Sequence, residues 1–143
     1  MESIKFYKEI DGELYRRARV EMENKVNALY VERVEANWMR RREIEKEVNE
    51  RVEAWNLLWG KGPDYLDLHG MTLWGAKHFV ARMVKRMKGQ KLFLEVGQGN
   101  HSRGGIPVIK WGLINEYRKA IKVYDRNKGI LVLNLRKVRN GHY

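Results

Sequence analysis

From Ile10 to Leu58 apolar side chains recur at steps of three and four: Ile10, Leu14, Ala18, Met22, Val26 and Leu29, then Val34, Trp38, Ile44, Val48, Val52, Trp55 and Leu58. That spacing predicts amphipathic helix, and no Gly or Pro interrupts it between Glu13 and Trp59. One helix of that length would extend about 70 Å at its usual rise, so the pattern predicts a hairpin. The break is expected near Asn24 to Asn27, with Asn37 as the other candidate. Trp38, Trp55 and Trp59 fall on the apolar stripe and are expected to pack between the helices or onto the second domain. Arg40, Arg41 and Arg42 are compensated by Glu43, Glu45 and Glu47 and read as surface.

Past the linker Gly60 to Pro63 the pattern changes. A short apolar run, Tyr65 to His69, reads as a strand bounded by Pro63 and Gly70. Thr72 then caps a helix expected to reach about Lys88, with Leu73, Ala76, Val80, Val84 and Met87 inward and Gly89 as its stop. Lys91 to Val96 reads as a second strand. The glycine-rich loop Gly97 to Gly105 comes next, and Pro107 opens a helix to about Arg118. Ala120 to Tyr124 and Ile130 to Leu135 form a hairpin across Asp125 to Gly129, and Lys137 to Tyr143 is expected to be a loose tail. The prediction is therefore a helical hairpin over residues 1–62, joined over 63–143 to an α/β unit. Its order is β-α-β-α-β-β, with a mixed four-stranded sheet whose first two strands run parallel.

Charge divides at the same place. Residues 1–62 carry 13 basic and 13 acidic side chains, so the net +11 of the chain falls on residues 63–143, with 16 basic against 5 acidic. Such an excess attracts phosphate backbones. There is no cysteine, which excludes disulfides, thiolate zinc sites and cysteine catalysis and fits a reducing compartment. No apolar run approaches the roughly 18 residues of a membrane span, and the first residues lack a signal-peptide pattern.

In open α/β sheets, ligands gather at the carboxyl ends of parallel strands. The end of the first strand, with Asp67 and His69, and the start of the glycine-rich loop should meet there. Asp67 and His69 are two apart and project to one face, a pairing that orients an imidazole and raises its pKa. The loop lacks the ending of a P-loop and the spacing of a dinucleotide fingerprint. Its glycines let backbone N–H groups approach a phosphate, while His101 and Arg103 add proton-transfer capacity and charge. These groups compose a metal-independent ribonuclease: one histidine activates the 2′-hydroxyl, another group protonates the leaving 5′-oxygen, and a cation stabilises the charged transition state. The acidic residues of this half, Asp64, Asp67, Glu95, Glu116 and Asp125, make a two-metal centre hard to build, so no metal and no cofactor is expected. His78 reads as a surface or partly buried helical residue and His142 as part of the tail.

Leu66-Asp67-Leu68-His69-Gly70, a helix, an apolar strand, Gly97-Gln98-Gly99-Asn100-His101-Ser102 and a final hairpin together resemble the Smr (small MutS-related) domain, with its LDLHG box and TGxG-type loop, over about residues 63–139. The form GxGNHSxGG is similar to that of eukaryotic Smr domains linked to ribosome rescue. Val96 departs from the Thr or His usual before the loop. Residues 1–62 resemble, through Asn49, Ala54 and Leu57-Leu58, a helical domain often found before Smr. The resemblance implies a two-layer α/β sandwich for residues 63–143 and an endonuclease acting in the cytoplasm on mRNA at stalled or collided ribosomes, with other domains or proteins for recruitment and no membrane. Asp67 and His69 would serve cleavage, and Gly97, Gly99, Asn100, His101 and Arg103 phosphate or RNA binding. Ser102, Gly104 and Gly105 belong to the same loop, and Lys110 and Arg118 join it on charge. Two other functions fit the same residues: an RNA- or ribosome-binding module without catalysis, and a DNA-nicking endonuclease.

Overall fold

The computed structural model of the chain describes residues 12–97, 107–141 and 143. Two helices come first, α1 (Gly12–Glu35) and α2 (Trp38–Trp59). The break falls at the second of the two expected places, because the Asn37 side chain accepts the Arg40 N–H at 2.9 Å and caps α2. Asn24 and Asn27 stay inside α1. The antiparallel pair is fastened by Arg33 to Glu45 and Arg40 to Glu32, each at 2.5 Å, and by an aromatic group of Tyr15, Trp55 and Trp59 with ring centroids 5.6 to 5.8 Å apart.

The remaining elements come in the expected order: β1 (Tyr65–Asp67), α3 (Leu73–Arg86), β2 (Lys91–Glu95), α4 (Val108–Tyr117), a 3-10 turn at Arg118–Ala120, β3 (Ile121–Val123) and β4 (Ile130–Asn134). One addition overturns the loose tail: α5 (Leu135–Arg139) closes the chain. Asn134 caps it by accepting the Lys137 N–H, and Leu135 is fully buried. Thr72 caps α3 as expected, accepting the Gly75 N–H at 3.0 Å, but the helix ends at Arg86, ahead of Gly89.

The sheet order is β1-β2-β4-β3, with β1 parallel to β2 and the other pairs antiparallel. Leu66, Leu92, Leu94, Leu131 and Leu133 share a buried cluster with residues of α3 and α4, while Tyr65, Phe93, Ile130, Val132 and Tyr124 cluster on the opposite face. Burying each such aliphatic side chain contributes about 1.5–3 kcal/mol. Val26, Ile44, Val48 and Val52 of the helical hairpin belong to the same buried cluster as the α3 and sheet residues. The hairpin is thus packed against the α/β part.

Not every position on the predicted stripe is inside. Trp55 is buried, but Trp38 is 67% exposed, and Leu14, Val34 and Leu58 are also exposed. Trp38 opens α2 six residues ahead of Ile44, off the three-and-four spacing that joins Ile44, Val48, Val52 and Trp55, and so turns outward.

Where α2 meets α3 the contact is polar and close. Asn49, buried, accepts the Thr72 N–H and donates to the Thr72 hydroxyl, both at 3.0 Å. A Cβ on Gly75 would lie 2.2 Å from its amide carbon, so α3 needs glycine at this position.

Candidate functional site

The first strand ends with its polar atoms fully engaged. β1 is an edge strand, and on its open side the Asn56 amide takes the place of a neighbour: its oxygen accepts the Asp67 N–H at 2.7 Å and its nitrogen donates to the Asp67 carbonyl at 2.8 Å. On the other side Leu68 N–H donates to the Glu95 carbonyl. Gly70, at φ +88, then turns the chain into α3 in a conformation that favours glycine, and its carbonyl accepts the Tyr30 hydroxyl at 2.6 Å. Asn56→Ala leaves both buried Asp67 backbone groups unpaired, and urea denaturation is expected to show a loss of about 1–3 kcal/mol.

So held, the Asp67 carboxylate lies 2.5 Å from His69 Nδ1 and also accepts the His69 backbone N–H at 3.2 Å. The sequence-predicted pair is therefore a real one, with Asp67 buried and the His69 side chain 14% exposed. Glu23 of α1 meets the other ring nitrogen, Nε2, at 3.1 Å. With a carboxylate at each nitrogen the ring is matched as a double donor, the imidazolium form.

A residue of α1 that sequence reasoning did not single out stands at the centre. The Arg19 guanidinium reaches Glu95 at 2.8 Å, Glu23 at 3.0 Å and Asp67 at 3.3 Å, and lies 3.3 and 3.4 Å from the two His69 ring nitrogens. Glu95 ends β2 directly opposite Asp67 in the parallel register. It also accepts from Lys61 at 3.0 Å and from the Tyr65 hydroxyl at 2.6 Å. Asp67, His69 and Glu95 offer ligand-type atoms within 4.8 Å of one another. Arg19 and Lys61 already bring positive charge to these carboxylates.

The environment moves the proton affinities apart. Burial alone would lower the His69 pKa, but the hydrogen bond and charge of Asp67, with Glu95 behind them, outweigh both burial and the opposing charge of Arg19. The imidazole therefore titrates above its ordinary value. Burial would raise Glu95, but the charges of Arg19 and Lys61 and the hydrogen bonds from Tyr65 and Arg19 hold it below the usual carboxylate range. The cluster thus sets an imidazole of raised proton affinity beside Asp67 and Glu95, with the cations Arg19 and Lys61 against the same carboxylates.

His69, Arg19 and Glu23 line a cleft of about 610 Å³ together with Gly97 and the first turns of α3 and α4. Of the predicted phosphate loop, Gly97 adjoins the site: a Cβ there would lie 3.6 Å from the His69 Cβ. Gly99, Asn100, His101, Ser102, Arg103, Gly104 and Gly105 lie outside the described residues, as does His142. Lys110 sits in the first turn of α4, and Arg118 lies just past the end of that helix, exposed. His78 is on α3, its ring tilted against that of Trp74 with centroids 4.0 Å apart.

Arg19 and Glu23 were invisible in the sequence, because four-apart opposite charges recur along α1 and mark an ordinary helix face. Glu95 had a signal. Aligning the ends of two parallel strands sets it beside Asp67.

No family model matches the chain, and no curated protein does. Among solved structures the chain is similar to the solution structure of the B3BP Smr domain, at 25% identity, covering 63% of this chain and 90% of that one, with a TM-score of 0.44.

Proposed function

We propose that the chain is a metal-independent endonuclease of the Smr type that cleaves RNA, with His69 as proton donor and Asp67 as the group that orients and charges it. The observation that carries this is the 2.5 Å pairing of Asp67 with His69 Nδ1 on the wall of an open cleft. An acid catalyst must hold its proton until the leaving group takes it, and the raised His69 pKa favours the protonated form. In the reaction the 2′-oxygen attacks phosphorus and the phosphorus–5′-oxygen bond breaks. The proton on His69 Nε2 passes to the leaving oxygen, giving a 2′,3′-cyclic phosphate and a 5′-hydroxyl. His101 is the base in this scheme. Arg19 on the cleft wall is set to face the developing charge, and Arg103 is assigned to it on charge alone. The 16 to 5 excess of basic side chains over residues 63–143 favours a nucleic-acid substrate. That the RNA is mRNA on stalled or collided ribosomes in the cytoplasm, with recruitment by other domains or proteins, extends the proposal on the resemblance of the LDLHG and GxGNHSxGG boxes.

One observation favours a second reading, a nucleic-acid-binding module without catalysis. Nε2, the atom that must face substrate, is held by Glu23, and ion-pair clusters also arise for structural reasons. Matched single-stranded RNA and DNA, incubated with the chain in EDTA at one salt concentration, separate the possibilities. Expected are RNA fragments ending in cyclic phosphate, with intact DNA and with protection of RNA by a single 2′-deoxy substitution at the scissile position. Binding of both strands without product establishes the second reading. Nicked DNA assigns the third.

A further inference from the structure

Trp74 on α3 and Trp111 on α4 are 68% and 57% exposed, on the half of the chain that carries the positive charge. They stand close to the cleft. Thr72 and Leu73, just before Trp74, line it, as do Pro107, Val108 and Ile109, just before Trp111. The two helices nearly touch at this point, since a Cβ on Gly112 would lie 2.3 Å from a Leu73 methyl. Each tryptophan is therefore sequence-adjacent to the residue that makes the contact, on the outward side of its helix.

The surroundings of these rings are basic. Trp74, Lys77, Ala81 and Lys85 succeed one another at three and four residues and form an outward ridge on α3, a helix with no acidic residue. Trp111 stands on the corresponding outward ridge of α4, where Glu116 is the single acidic side chain and Lys110 lies 6.0 Å from the Trp111 ring, and exposed Arg118 follows just past the helix end. Among the described residues beyond Gly62, Arg82 is the one lysine or arginine in an ion pair, with Glu53 at 2.8 Å. The groove on the α2 side of Trp74 is charge-balanced, with Arg42, Lys46 and Arg82 against Glu45, Glu50 and Glu53. The unbalanced positive face is the one between the α3 and α4 ridges.

We propose that Trp74 and Trp111 form a stacking platform for unpaired bases of a single-stranded nucleic acid, with Lys77, Lys85 and Arg118 on its phosphates, so that the strand leads across α3 and α4 into the His69 cleft. Exposed aromatic rings interleaved with lysines are how single strands are gripped without regard to sequence, because every base has a π-face. A duplex hides those faces and loses the stacking. The platform rests on the reading of the chain as acting on nucleic acid and deepens it by naming the single-stranded form. It is tested by binding, apart from cleavage.

The probe is a short fluorescein-labelled oligothymidylate, which has no 2′-hydroxyl to attack, followed by anisotropy with the full chain at one salt concentration. Trp74→Leu and Trp111→Leu are each expected to weaken binding about tenfold, and Trp74→Phe and Trp111→Phe to retain most of it because a phenyl ring still stacks. Trp38→Leu, at an equally exposed tryptophan on α2, is expected to bind as wild type. The duplex form should be insensitive to all of these changes. Equal binding by the Trp74→Leu and Trp111→Leu chains overturns the platform, as does an equal loss in Trp38→Leu or on the duplex. Absence of cleavage elsewhere, with these losses observed, sinks the nuclease reading and leaves the platform standing.

Discussion

Arg19→Ala lowers the stability of the chain by about 3 kcal/mol at neutral pH, the range for removing one partner of a buried ion pair. The size reflects the groups left behind. Asp67, Glu95 and Glu23 all lose their shared cation, and of these Asp67 is 5% and Glu95 15% exposed in its side chain. Glu95 then keeps Lys61 and the Tyr65 hydroxyl but loses the guanidinium, and α1 loses its main polar attachment to the sheet edge. Arg19→Lys is not expected to rescue, because one ammonium cannot divide five donors among three carboxylates and lie along an imidazole as well.

The two titrating groups give opposite pH dependences. Glu95 is held below its ordinary pKa, so its contribution is present above the usual carboxylate range and is lost as pH falls through the lowered value. The gap between wild type and Arg19→Ala in urea denaturation should therefore be widest at neutral pH and close in acid. His69 moves the other way. Its pKa is raised, so its contribution is full below the ordinary histidine value and is lost as pH rises through the folded value. Because Arg19 opposes that protonation, Arg19→Ala should push the His69 titration higher still, which NMR of the imidazole reads directly. An unchanged titration would remove Arg19 from the site.

His69→Ala should cut cleavage by about 10² to 10⁴, the usual worth of a positioned acid or base, with nucleic-acid affinity about unchanged. The imidazole is the group whose ordinary pKa lies nearest neutrality, and its surroundings raise it; Arg19 keeps its own proton, its affinity raised by Asp67 and Glu95 against the effect of burial. Asp67→Asn separates two roles. The amide keeps the backbone clasp with Asn56, since that clasp uses the Asp67 N–H and carbonyl, but it removes the charge that raises the His69 pKa. Its kcat should fall with the His69 limb of its pH profile displaced toward acid, whereas His69→Ala should lose that limb altogether. If the two variants lose binding and cleavage in parallel, the pair is a structural fastening of the strand end.

Much of the fold was readable in the chain, and the reasons for the rest are physical. The α/β order came from short apolar runs bounded by turn residues and from three-and-four spacing between them, with Thr72 and Pro107 marking helix starts by their own chemistry. The Asp67–His69 pair was expected from strand parity on a strand reaching His69; β1 ends at Asp67, and it is the turn after it that brings His69 back to the carboxylate. The hairpin break was harder, because Asn24, Asn27 and Asn37 are chemically alike and only Asn37 finds a free N–H three residues on. The closing helix was missed because its five residues are too few to show a period. Trp38 and Leu58 look like core by composition, and their exposure depends on where α2 starts and ends against its neighbours. The site's central ion pairs join residues 48 and 76 apart, and nothing local announces such a contact.

Proton donation by His69, charged by Asp67, is the step on which RNA cleavage by this chain depends. Its most direct test is the rate of cleavage of single-stranded RNA in EDTA as a function of pH, with wild type and His69→Ala side by side. The expected result is cyclic-phosphate products whose rate of formation declines as pH rises through a value above the ordinary histidine pKa, and near-complete loss in His69→Ala. Cleavage that ignores pH over that range, or that persists in His69→Ala, contradicts proton donation by His69.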